Sequence, residues 1–90
     1  MSQRIVVAAA EEACAVNTGT AKSFAEATCV RLINNGGTAR LVTVVETQSG
    51  TVLGSFTMAG NSVEFLQKRS SHCIFAAANS VLGTKVGFTN

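Results

Sequence analysis

The 90-residue chain contains no aspartate, proline, tryptophan or tyrosine, one histidine, and charged residues at only 13%. Each shortage excludes something. With no aspartate, and with the adjacent Glu11 and Glu12 as the only close carboxylates, general acid–base chemistry has few candidates, and no catalytic residue is expected. Without tryptophan or tyrosine, and with the phenylalanines mostly at core-like alternating positions, the aromatic platform on which single-stranded nucleic acid stacks is missing. The cations Arg4, Lys22, Arg31, Arg40, Lys68, Arg69 and Lys85 are scattered to a net charge of +2, and only Lys68 and Arg69 are neighbours. That is no counterion-releasing basic stripe. Cys14, Cys29 and Cys73 are odd in number and lack CxxC spacing, so they form neither a complete disulfide framework nor a zinc site. They are expected to be reduced, packed thiols. No apolar run approaches the roughly 20 residues of a membrane-spanning helix. Ile5–Ala10 is shorter than a signal-peptide core and runs into Glu11 and Glu12.

What is present is a 47% apolar composition that suits one domain over residues 1–90. A chain of this length buries roughly 60–65% of its unfolded surface, enough for one core. The second half reads as strands divided by turns. Arg40–Glu46 is apolar or β-branched on both faces, with Leu41, Thr43 and Val45 on one and Val42 and Val44 on the other. Ser49–Gly50 makes a turn, and Val52–Met58 alternates after it. Gly60–Asn61 makes the next, followed by Val63–Gln67 and the polar run Lys68–His72. Cys73–Ala77 and Val81–Phe88 alternate on either side of Asn79–Ser80. Close strand spacing with turn signals predicts an all-β domain, a small antiparallel β-sandwich or barrel of six to seven short strands. Phe56, Phe65, Phe75, Val86 and Phe88 are its expected core.

The first half is less uniform. Ile5–Ala10 reads as a strand, but Thr20–Asn35 fits two templates. Thr20 as N-cap, a stripe of Phe24, Ala25, Thr28 and Leu32, and Asn35–Gly36 as C-cap describe a helix. With Ile5–Val7 and a phosphate-cradling loop at Asn17–Lys22, that helix would open a flavodoxin-like unit. The hairpin-like remainder offers no repeat of it, so the reading favours a strand at Thr28–Asn34. Asn34-Asn35-Gly36-Gly37 then carries the strongest hairpin signal in the chain.

Two other constellations bear on chemistry. His72 and Cys73 are adjacent and point to opposite faces of a strand, so they form neither a metal site nor a nucleophile–base pair. Neither metal nor cofactor is expected. The loop holding Lys68, Arg69 and His72 is a candidate polar contact surface. In the alternative reading, a small Sm-like or OB-like nucleic-acid-binding barrel, that loop would meet phosphate.

Several stretches carry a resemblance: Val30–Gly37, Val44-Val45-Glu46-Thr47, Gly54-Ser55-Phe56-Thr57, Val63–Lys68 and Thr84–Asn90. Over nearly the whole chain these resemble small all-β virion structural proteins of marine tailed phages, particularly cyanophages. Where such proteins carry an acidic turn after the lysine, this chain has Arg69-Ser70-Ser71-His72. The resemblance implies a protein made in the host cytoplasm and located on the virion. It would associate with itself and with capsid or tail subunits, and not with nucleic acid or membrane. The two apolar faces of Arg40–Glu46 lead to the same expectation of a homo-oligomer, with Leu41, Val42 and Val44 at the contact or in the core.

Overall fold

Period-two alternation of apolar and polar side chains produces eight strands in the computed structural model, which describes residues 4–89. They are β1 (Arg4–Val7), β2 (Glu12–Ala13), β3 (Cys29–Asn34), β4 (Arg40–Val45), β5 (Val52–Met58), β6 (Val63–Gln67), β7 (Cys73–Ala76) and β8 (Val81–Thr89). The predicted all-β fold is present; the strand beyond the expected six or seven is the two-residue β2. The strand template also prevails at β3. The helix imagined across Phe24 and Ala25 does not form, because Phe24, Ala25 and Glu26 all adopt left-handed backbone angles, φ 56 to 58°.

Two antiparallel sheets result. One has the order β1-β8-β3-β6 with β2 also on β8, and the other has β5-β4-β7. Only β4 and β5 form a hairpin of sequence neighbours. The Asn34–Gly37 segment, expected as a hairpin turn, instead crosses from one sheet to the other. A type I′ turn requires positive φ at both central residues, and neither Asn35 nor the following glycines have it. The Asn34 side chain is turned into the interior and is fully buried. Its Nδ2 donates to the carbonyls of Thr38 (2.8 Å) and Met58 (3.3 Å), and its Oδ1 accepts from Gly36 N (3.2 Å) and Ser80 Oγ (3.3 Å). One side chain thereby ties together three connections at one end of the sandwich.

The pairings are nested: β1 with β8, the backbone at Lys22 with β7, β3 with β6, and β4 with β5. Closed into two facing sheets, this is the connectivity of a jelly roll. Lys22, bridging Ile74, stands where a full strand would lie.

The main core between the sheets gathers Phe24, Val30, Leu32, Val42, Met58, Ile74 and Val81, with Val44, Phe56 and Leu66 packed against it. Phe24 closes on β8 so tightly that a Cβ at Gly83 would lie 2.7 Å from its ring, which is why residue 83 has no side chain. Of the expected core residues, Val86 is buried and Phe56 and Phe75 are half-buried. Phe65 is 48% exposed, a correction that follows from parity: Leu66 takes the inward position on β6, so its neighbour must face out. The side chain of Phe88 lies outside the described residues. A second small cluster of Ala21, Val45 and Cys73, joined by Phe75, sits on the other face of β4. The chain itself therefore covers much of the second apolar face of Arg40–Glu46.

Candidate functional site

The two lateral sides of the sandwich are built differently. Residues 12–27 seal one of them. β2 pairs with β8, Cys14 N donates to Val81 O (2.8 Å), and Ala76 N donates to Ala15 O (2.9 Å). Lys22 and Ile74 then exchange backbone hydrogen bonds at 3.0 and 2.8 Å. The left-handed turn at Phe24–Glu26 follows. Residues with a Cβ pay about 1–2 kcal/mol each for that conformation, so it persists only because its surroundings hold it. Ser23 closes it locally, accepting from Glu26 N at its hydroxyl (3.3 Å) and from Ala27 N at its carbonyl (3.3 Å), and two lysines hold it from outside: Lys85 Nζ donates to Ala25 O (3.2 Å) and Lys68 Nζ to Ala27 O (2.7 Å). Along this side runs an open hollow of about 590 Å³, where Lys22 already pairs with Glu12 at 3.8 Å.

The opposite side is open. It is bordered by β5, an edge of the smaller sheet, and β6, an edge of the larger one. Val52 (58%), Leu53 (49%) and Val63 (40%) are exposed there, and no charged residue stands between Glu46 and Glu64. Gly54 faces the core side of β5 opposite Val44, and a Cβ added to it would meet nothing within 4 Å. Between the strands lies a cleft of about 490 Å³ lined by Val44, Leu53, Gly54, Gln67, Lys68, Arg69 and His72.

The residues singled out from sequence divide between these places. Val42 is fully buried in the core, Val44 is half-buried against it at the edge of the cleft, and Leu41 is exposed on the outer face of the smaller sheet. Lys68, Arg69 and His72 are brought together at the cleft, but not as one polar surface. Lys68 is buried, with its ammonium on the carbonyls of Ala27 and Arg69 (3.3 Å). Burial pushes its pKa down, partly opposed by the nearby Cys73. Lys68 is thus a staple of the left-handed turn and is withdrawn from solvent. Arg69 is exposed, and His72 N donates to Arg69 O (3.0 Å) to close the turn between β6 and β7.

All three cysteines are free thiols; Cys14 and Cys73 are buried and Cys29 is half-buried. Burial, with a smaller contribution from Glu12 and against the pull of Lys22, pushes the Cys14 thiol up to about 12, which keeps it inert. Among the described residues no three of His, Cys and Glu gather as a metal site. What the geometry does offer is a surface: a long, uncharged β-edge, free of any strand partner among the described residues, beside a cleft. Sequence reasoning singled out β4 for association and passed over β5, although the uncharged run between Glu46 and Glu64 was a legible signal. No protein-family model, curated protein or solved structure matches the chain.

Proposed function

We propose that this domain is a structural module of a virion, a capsid- or tail-associated subunit that acts by self-association and by docking on the particle, without catalysis. The observation that carries this reading is the free edge of β5, seven residues long, without charge and exposed over most of its length. Soluble domains ordinarily blunt such an edge with lysine, proline or a covering loop, because it templates pairing with another chain. Here the chain seals the opposite side of the sandwich and leaves this one bare. A small repeated subunit needs such a surface, and jelly rolls recur in capsid shells, although they also occur in lectins and cupins.

The nucleic-acid reading loses support at the same place. Of the two adjacent cations meant to meet phosphate, Lys68 is committed to backbone carbonyls, which leaves Arg69 as the exposed one. Quantitative mass spectrometry of purified phage particles tests the proposal. The expected result is many copies per particle and no salt-dependent binding of the isolated protein to oligonucleotides. Absence from particles, or oligonucleotide affinity that falls with added salt, overturns it.

A further inference from the structure

Resting on the self-association reading, we propose that β5 pairs antiparallel with β5 of a second copy of this chain, about a two-fold axis at Ser55. The axis joins two three-stranded sheets into one of six. An isologous contact requires a self-complementary strand, and β5 meets that requirement residue by residue. With Ser55 opposite itself, Leu53 faces Thr57 of the second copy on the outer face, and Gly54 faces Phe56 on the inner face. Phe56 is only half-buried in the single chain. Gly54 is the position on β5 where an added Cβ finds open space, at the edge of the cleft between β5 and β6. Each Phe56 ring thus covers the glycine of the other copy, twice per dimer, the arrangement in which an aromatic shields a strand glycine.

Charge and area agree with this occupant. A strand that pairs with itself brings like residues close, and the lack of charge from Thr47 to Val63 removes cross-strand repulsion. A stable interface buries about 800 Å² per partner. That is about one sixth of the 5032 Å² the chain exposes. Toward that area the edge offers residues 51–55 and Thr57, all exposed. Of the other bare edges, β1 is four residues long and begins with Arg4, and β6 is five residues long and carries Glu64.

The test is sedimentation of the full-length chain with charge placed at the axis. Ser55 is exposed on the outer face, so Ser55→Lys and Ser55→Glu fold as the parent does, checked by circular dichroism. The parent should sediment at twice 9.3 kDa. Each variant alone should dissociate at least tenfold more readily, and an equimolar mixture should recover the dimer, because lysine then faces glutamate. Gly54→Val supplies a second arm: the added side chain has room in one chain but occupies the place of the incoming Phe56, so it too should sediment as a monomer. A Ser55→Lys dimer of parental affinity, or a mixture that stays monomeric, overturns the β5 pairing while the virion assignment stands on its particle copy number. A parent that is monomeric at high concentration overturns the pairing as well.

Discussion

Cys14 shows how one buried side chain sets a pH limit for the whole fold. Its thiol ionises near 9 in an unfolded chain and near 12 in the folded one, where burial disfavours the thiolate. Below pH 9 both states hold the proton and the stabilising packing of the neutral thiol is fully present. Between 9 and 12 only the unfolded chain releases it, so stability falls with rising pH, by on the order of 4 kcal/mol across the whole window. Lys68 acts with the opposite sign. Its folded pKa lies below the ordinary 10.5, so the unfolded chain binds the proton more tightly, and stability rises with pH through the lowered value up to 10.5. Denaturant titrations at stepped pH separate the two. Cys14→Ala should remove the alkaline loss and Lys68→Met the rise that opposes it. A Cys14→Ala variant whose midpoint still drops as steeply above pH 9 would show that the thiol is not the titrating group.

Among the elements, strands and connections differ in how far they can be read from the chain. Alternation of Val30, Leu32 and Asn34 against Arg31 and Ile33 places β3 correctly, since parity is a local property of the strand. Which strand pairs with which is not local. Asn34-Asn35-Gly36-Gly37 has the composition of a hairpin turn, and the four hydrogen bonds of the buried Asn34 side chain outweigh it by anchoring the crossing to Met58 and Ser80. The partners arrive from 24 and 46 residues away, beyond the reach of any local pattern. The same limit hid the left-handed turn at Phe24–Glu26, whose stabilising ammoniums come from Lys68 and Lys85. Likewise β5 was legible as an uncharged strand, but its place at an edge depends on the sheet order, which no local pattern carries. Asn34→Ala should therefore lose about 2 kcal/mol, because it leaves the buried Met58 carbonyl, and with it the part-buried bonds to the Thr38 carbonyl and the Gly36 amide, without their partner. Equilibrium urea unfolding measures it. A loss below about 0.5 kcal/mol would mean that water replaces the amide and that Asn34 does not hold the three connections.

At the scale of the molecule, the asymmetry between a sealed and a bare side depends on how the two ends of the chain are used. β8 lies inside the larger sheet, between β3 and the strands β1 and β2, and it contributes Val81 to the core. β1 only lines its far edge, and Ile5, Val6 and Val7 remain 40–62% exposed. Removing residues 1–7 gives up four paired positions, whose hydrogen bonds are worth roughly 0.5–1.5 kcal/mol each. It also releases backbone that costs roughly 1–2 kcal/mol per residue to order. The two nearly cancel, so the shortened protein should fold with a melting temperature within several degrees of the parent, whereas removing residues 81–90 should abolish folding. The shortened protein also discriminates between the β5 and β1 edges. If β5 is the strand that meets a second copy, the dimer survives the loss of β1, since the two strands belong to different sheets. Sedimentation of the folded, shortened chain as a monomer would move the interface to β1 and leave the β5 edge unoccupied.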